Sequence, residues 1–515
     1  MTQQNGTNAK VPPGRATSGI NGLDVVLRGG FLERATHLIA GAPGTGKTVL
    51  AQQLAYHQAA GAQDSSVLYL TLLTESHEKM LANLSSFAFF DPRMVGQQIL
   101  YLSLYQQILT EGLKGLTPFC REAVFKYKTR LVILDGVSSL RDFATSRGEL
   151  RHILFDFNAQ LSNLGCTVLL LVDDELPHQN APEYAIADTI IRLHNQTHGR
   201  RQLRSLEVMK SRATPALQGL HYFDISKTGI ELYPRTEALL SEEENQAQAI
   251  KQESVPVEVN SPRPLPLRHT FEIEGLDQML EGGLLAGSLN LLLGTPGSGK
   301  TLTGLRFIYE GVRNGESGLV LSFGHSAQDM EQIASTVGFE LGPYLANGRL
   351  QVLRVLPVER LLDQVVGLLR AAIVEHSPTR LFIDTLNDME SLSLEPRQLG
   401  GFWVALTNYL RKQGITTLGT LNFNQLTSAG LELPENTISS LADTIVLLRS
   451  LEVGSELRRL VSVLEMRGST HTTNVREYLI AADGLRVGGP FAEAEAVLSG
   501  TARLRPKPPF PDNVV

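Results

Sequence analysis

The sequence predicts an α/β protein of two tandem domains, each a mostly parallel sheet flanked by helices. Three observations carry that prediction. The chain repeats its landmarks at a fixed offset, each half alternates short β-rich apolar runs with helical patterns, and each half joins an apolar strand to a helix through a glycine-rich loop.

Taken in order, residues 1–15 are polar and read as a flexible N-terminus, and residues 1–13 lack the apolar core of a signal peptide. The first domain covers residues 16–236 and opens on Ser18-Gly19-Ile20-Asn21-Gly22-Leu23-Asp24, followed by Gly29-Gly30. Residues 36–40 read as a strand and 49–60 as a helix; further strands fall at 67–70, 131–134 and 167–172, with a helical pattern over 149–164. Such alternation suits parallel strands covered on both faces. Glu242-Glu243-Glu244, then Pro256, Pro262, Pro264 and Pro266, mark residues 237–268 as a charged and proline-stiffened linker.

The second domain, residues 269–487, repeats the opening as Glu272-Ile273-Glu274-Gly275-Leu276-Asp277 with Gly282-Gly283. Gly22 and Gly275 are 253 apart (275 − 22), as are Lys47 and Lys300 (300 − 47). Leu131-Val132-Ile133-Leu134-Asp135 returns as Leu381-Phe382-Ile383-Asp384, and Ala187-Asp188-Thr189-Ile190 as Ala442-Asp443-Thr444-Ile445. A period of about 250 residues is too long for a solenoid and implies tandem domains. Residues 488–515, which include Arg505-Pro506-Lys507-Pro508-Pro509-Phe510-Pro511, read as an extended proline-rich tail.

Composition narrows the function classes. With 42% hydrophobic and 19% charged residues over 515 positions, the chain is an ordinary globular protein. A net charge of -7 gives no global field toward nucleic acid or an anionic membrane. Two cysteines, Cys120 and Cys166, make no disulfide framework, no apolar run is long enough to span a bilayer, and the cytoplasm is the expected location. His194 and His198 lie four apart on an apparent hairpin and form no metal site.

The loops carry the chemistry. Gly41-Ala42-Pro43-Gly44-Thr45-Gly46-Lys47-Thr48 and Gly294-Thr295-Pro296-Gly297-Ser298-Gly299-Lys300-Thr301 each follow a strand and open a helix. Glycines let such a loop curl so that backbone N–H groups face phosphate oxygens at the positive end of the helix. Lys47 and Lys300 reach the β and γ phosphates of ATP, and Thr48 and Thr301 supply hydroxyls to Mg²⁺. Asp135 and Asp384, each ending an apolar strand, supply the carboxylate that completes the metal site.

The halves then diverge. In RecA-like ATPases a glutamate at the end of the next strand orients the attacking water, and Glu75 in Thr74-Glu75-Ser76 fits that place. Anchoring Ser76 on Ser326 and Met80 on Met330 puts His325, in Gly324-His325-Ser326, opposite Glu75. The first half keeps a carboxylate there and the second does not.

The early Gly-Leu-Asp and Gly-Gly landmarks, both phosphate loops, both Asp-Thr-Ile strands and the late Glu465-Met466-Arg467-Gly468-Ser469 resemble the KaiC family of double RecA-like ATPases, over residues 16–486. The resemblance implies a double-ring homo-hexamer with ATP between neighbouring subunits, and signalling or clock-type protein partners. It implies that a basic pair on a late strand reaches the neighbour's phosphates: Lys210 and Arg212 in the first half, and Glu465 and Arg467 in the second, where a lysine has become glutamate. Clock members phosphorylate themselves on a Ser-Thr pair before the second Asp-Thr-Ile strand, a place held here by Ser439-Ser440. Hydrolysis is therefore expected mainly in the first domain, from Lys47, Thr48, Asp135, Glu75, Lys210 and Arg212. The second domain is expected to bind ATP with weakened catalysis. The alternative is a recombinase- or helicase-type DNA-dependent ATPase, with Arg200, Arg201, Arg204, Arg458 and Arg459 facing a channel.

Overall fold

The computed structural model describes residues 14–61, 65–72, 77–173, 181–212, 215–243, 267–358, 360–422, 437–453, 456–491, 494–495 and 503–504. The chain divides into two compact units, Met1–Leu239 and Leu240–Val515.

In the first unit, β1 (Arg15–Ala16) and β2 (Phe31–Leu32) form a short pair. The main sheet is built from β3 (Thr36–Gly41), β4 (Ser66–Thr71), β5 (Ile99–Ser103), β6 (Thr129–Asp135), β7 (Thr167–Asp173), β8 (Thr189–His198), β9 (Arg201–Ser211), β10 (His221–Ser226) and β11 (Gly229–Tyr233), in the order β11-β10-β9-β8-β3-β7-β6-β4-β5. Strands β8, β3, β7, β6, β4 and β5 are parallel, and β9 to β11 add an antiparallel flank.

The second unit repeats this plan. It has the short pair β12 (Arg268–His269) and β13 (Leu284–Leu285), then β14 (Leu289–Gly294), β15 (Gly318–Ser322), β16 (Leu350–Arg354), β17 (Arg380–Asp384), β18 (Thr416–Asn422), β19 (Thr444–Val453), β20 (Glu456–Met466), β21 (Arg476–Ala481) and β22 (Gly484–Pro490). Read from β22, its order is β22-β21-β20-β19-β14-β18-β17-β15-β16, strand for strand that of the first sheet. These are tandem RecA-like domains, as the sequence predicts.

The central strands are continuous apolar runs because helices cover both faces. Successive side chains alternate between two cores. Leu38, Leu68, Leu70, Val132, Leu134, Val168 and Leu170 pack with the helices Leu116–Tyr127 and Arg147–Asn163. Ile39, Tyr69, Leu131, Ile133, Leu169 and Leu171 pack with Leu50, Ala51 and Leu54 of the helix Lys47–Gly61. The helical pattern over 149–164 is the helix Arg147–Asn163, whose start is fixed by Ser146: its Oγ accepts the Glu149 N–H at 3.1 Å.

The repeated landmarks prove to be structural. Arg15 Nη1 donates to the carbonyls of Leu27 and Gly30, both at 2.7 Å, and Arg268 Nη1 repeats this on Leu280 and Gly283 at 3.2 and 2.7 Å. Gly30 has φ +105°, and a Cβ there would lie 2.3 Å from the Ala16 carbonyl oxygen, which excludes any other residue. Asp24 Oδ1 accepts the Ser18 N–H at 2.8 Å, and Asp277 Oδ1 accepts that of Phe271 at the same distance. The aspartates of the Asp-Thr-Ile segments cap the central strands: Asp188 accepts the Thr36 N–H at 3.0 Å and Asp443 that of Leu289 at 2.9 Å.

The stretch read as linker begins with a helix over residues 236–243. Leu240 belongs to the core of the second unit, and Glu243 pairs with Arg370 there at 2.5 Å. Residues 244–266 lie outside the described residues. Strand β22 extends to Pro490, and of the tail beyond it the described residues give only a two-residue pairing of Ala494–Glu495 with Arg503–Leu504.

Candidate functional site

Both glycine loops sit at the C-terminal ends of the parallel strands, where β3 and β14 turn into their helices. Gly44 and Gly46 have φ of +79° and +105°, and Gly297 and Gly299 of +78° and +101°, which glycine alone adopts freely. A Cβ at Gly44 or Gly297 would meet no atom, so the loop backbone there borders open space. One at Gly41 or Gly294 would lie 2.6 or 2.5 Å from the carbonyl oxygen of Leu193 or Leu448. Gly41, Ala42, Pro43, Gly44, Thr45, Gly46, Lys47 and Thr48 thus form one cradle, and Gly294, Thr295, Pro296, Gly297, Ser298, Gly299, Lys300 and Thr301 the other.

In the first cradle Lys47 is buried, and its Nζ donates to the carbonyls of Gly41 at 2.8 Å and Ala42 at 3.0 Å. A third contact goes to Asp173, 2.7 Å away at the end of β7. Thr48 Oγ1 faces Asp135 Oδ2 at 3.4 Å, and the Tyr69 hydroxyl donates to the same oxygen at 2.7 Å. Burial raises the pKa of Asp135, offset by the Tyr69 hydrogen bond.

In the second cradle Lys300 rests on the carbonyls of Gly294 and Thr295, both at 2.8 Å. Burial lowers its pKa to about 8 against the pull of Asp384. Thr301 Oγ1 donates to Asp384 Oδ2 at 3.0 Å, and Thr420 on β18 donates to Asp384 Oδ1 at 2.8 Å. The cleft above, about 470 Å³, is lined by Lys300, Thr301, His325, Asp384, Asp388 and Arg459, among others. In each cradle a threonine hydroxyl and a carboxylate converge, an all-oxygen donor pair that fits Mg²⁺.

Glu75 lies outside the described residues. Its flanks are placed: β4 ends at Thr71 and the described helix His77–Leu84 follows, as the helix Ala327–Ser335 follows β15. Leu72 and Phe323 are equivalent, donating their N–H groups to the carbonyls of Asp135 and Asp384. The anchoring of Ser76 on Ser326 and of Met80 on Met330 sets His325 opposite Glu75 in the sequence. Ser326 caps its helix, accepting the Asp329 N–H at 3.2 Å.

The late basic residues stand at the other end of the sheet. Strand β8 runs parallel to β3 with Leu193 beside Gly41, whereas Ser211 of β9 lies opposite Thr189, at the start of β8. Lys210 and Arg212 are therefore remote from their own phosphate loop. A bulge between Ile190 and Ile191 leaves Met209 unpaired and re-aims Lys210, and the second domain repeats it at Ile445/Val446, before Glu465. Lys210 Nζ donates to the Ala187 carbonyl at 2.6 Å, and Arg212 pairs with Asp188 at 3.1 Å. In the second domain Arg411 takes that aspartate, Asp443, and Arg467 is held instead by Glu465 at 2.8 Å.

Ser439 and Ser440 sit on the short helix Thr437–Leu441: Ser439 is buried, with no hydrogen bond from its hydroxyl among the described residues, and Ser440 is exposed. Sequence reasoning missed Asp173, Tyr69 and Thr420. The signal for Asp173 was available: it is an acidic residue ending an apolar strand, the criterion that found Asp135.

A family model described as "ATPase: KaiC" matches residues 16–237 and 270–490. The Circadian clock oscillator protein KaiC of a Picosynechococcus strain is 28% identical over 94% of this chain and 91% of its own. Circadian clock oscillator protein KaiC 1 of a Synechocystis strain is 27% identical over 94% and 90%. The Acaryochloris marina protein of the former name is 26% identical over 96% and 92%.

Proposed function

The chain belongs to the KaiC family of ATPases, and on that footing we propose that it is an ATP-hydrolysing homo-hexameric regulator whose first domain turns ATP over and whose second domain holds ATP for assembly. The observation that supports this division is the contrast between the two late pairs. Both arginines are ion-paired, Arg212 with Asp188 and Arg467 with Glu465, but the other member of the pair is the cation Lys210 in the first domain and the carboxylate Glu465 in the second.

In the first domain the loop N–H groups and Lys47 bind the β and γ phosphates, held together by the helix Lys47–Gly61. Thr48 and Asp135 would hold Mg²⁺, which neutralises phosphate charge when bound. Glu75 orients the water that attacks the γ phosphorus and accepts its proton as the bond to ADP breaks. Lys210 and Arg212, remote from their own loop, face the phosphates of the adjoining subunit and stabilise the charge that spreads over the transferred group.

The second domain keeps Lys300, Thr301 and Asp384 for binding. Autophosphorylation draws little support: Ser439 is buried, and although Ser440 is exposed, histidine stands at position 325 where a carboxylate base is expected. A DNA-dependent ATPase draws less: Arg458 is engaged by Glu456 and Glu477, and Arg459 donates to the Gly297 carbonyl. The setting proposed is the cytoplasm, among signalling or clock-type partners; no helix among the described residues is long and apolar enough to cross a membrane.

The test is phosphate release by the full chain. Loss of a general base costs about 10²- to 10⁴-fold, so Glu75→Gln abolishes release while ATP stays bound, and His325→Gln changes it little. Release that survives Glu75→Gln but vanishes in His325→Gln, with both variants assembled, would reverse the roles of the domains.

A further inference from the structure

Asp173 and Asn422 hold one position in the two domains. Asp173 ends β7 beside Gly41 of β3, and Asn422 ends β18 beside Gly294 of β14. Their surroundings match as well: the Asp173 N–H donates to Ser138 Oγ at 2.9 Å, and the Asn422 N–H to Asn387 Oδ1 at 2.6 Å. What differs is the charge presented to the phosphate-loop lysine. All three ammonium donors of Lys47 are engaged, on two carbonyls and on the Asp173 carboxylate at 2.7 Å, while among the described residues Lys300 rests on two carbonyls alone.

We propose that Asp173 is a specificity-determining residue of the first domain, a carboxylate that competes with the γ phosphate for Lys47 and so shifts the site's preference from ATP toward ADP. The proposal rests on the reading of this loop as an ATP site. A lysine that reaches the β and γ phosphates must leave Asp173, and the carboxylate is then left beside a like charge. ADP places no γ phosphate there, and Lys47 keeps Asp173 while touching the β phosphate. Asp135 is close enough for Asp173 to raise its pKa, so the first site carries two carboxylates about Lys47, where the second has Asp384 and a neutral amide. The first domain therefore holds ATP less tightly relative to ADP than the second does. The Asp173 side chain is 46% exposed, so it is solvated once released and Asp173→Asn does not leave a buried orphan.

The experiment is equilibrium binding of ADP and of a β,γ-imido analogue of ATP, with Mg²⁺, to the full chain carrying Lys300→Ala, so that the first loop alone keeps its lysine. Adding Asp173→Asn is expected to tighten the analogue about tenfold and ADP less than about threefold. The converse change, Asn422→Asp in a chain carrying Lys47→Ala, weakens the analogue at the second loop by a comparable factor. An analogue-to-ADP ratio left unchanged by Asp173→Asn, or both ligands weakened, overturns the proposal. Failure of the Lys300→Ala chain to bind either nucleotide would instead overturn the reading of the first loop as an ATP site.

Discussion

Lys300 has its pKa lowered to about 8 because burial disfavours the ammonium, and Asp384 offsets this only in part. Phosphates favour the charged form, so ATP binding raises that pKa and takes up a proton wherever the empty site is neutral. The sign follows: below pH 8 Lys300 is already charged and affinity is flat, whereas above pH 8 affinity falls, approaching about tenfold per pH unit. His325, Asp384, Asp388 and Arg459 line the cleft with it. Calorimetry in buffers of different ionisation enthalpy, on the chain carrying Lys47→Ala, should show proton uptake at pH 9 and none at pH 7. Lys300→Arg should remove the uptake, since an arginine stays charged throughout. Equal affinity at pH 7.5 and 9.5 would refute the assignment.

Among the elements, the start of β17 carries the most consequential buried charge. Arg380 is 2% exposed; its guanidinium donates to both oxygens of Glu316 at 2.7 and 2.8 Å and to the Thr270 and Phe307 carbonyls, both at 2.8 Å. Burial alone would raise the Glu316 pKa, but hydrogen bonds from His269 and Arg380 hold it well below the usual carboxylate range. A depressed carboxylate stabilises the fold above its unfolded pKa of about 4.3, and that contribution is lost as pH falls below it. Arg380→Met should therefore cost the second domain about 3–5 kcal/mol, measured as a shift of its urea transition, and Arg380→Met with Glu316→Gln should recover part of the loss. A shift under about 1 kcal/mol would show that the pair is not the anchor its geometry suggests.

The order and type of these elements were legible in sequence because buried parallel strands read as apolar runs and because every landmark occurs twice. Both phosphate loops were legible for the same reason. What escaped was set by register across strands. Nothing local to Tyr69 or Thr420 says that β4 in one domain will hold Asp135 and β18 in the other Asp384. The bulge before Lys210 is a property of the β8–β9 pairing and has no signature in either strand alone. Arg15 and Arg268 are 253 apart (268 − 15), yet their role needs the glycine carbonyls that only the fold brings to them.

At the scale of the whole molecule, a site completed by the next subunit couples nucleotide to association by mass action. Light scattering should report a larger species with Mg-ATP than without, and a monomer in both conditions would contradict a shared site. Head-to-tail interfaces close into rings when the rotation between neighbours permits, and each such ring has as many sites as subunits. The most direct test is complementation between two inactive chains. Lys47→Ala keeps the cations and spoils the loop; Lys210→Ala with Arg212→Ala keeps the loop and spoils the cations. Each alone should release phosphate at about 1% of the wild-type rate or less. In an equal mixture about a quarter of the sites pair an intact loop with an intact neighbour, so phosphate release should return to about a quarter of the wild-type rate. A mixture that native mass shows to be co-assembled but that stays as inactive as its parts would contradict a first-domain site shared between subunits.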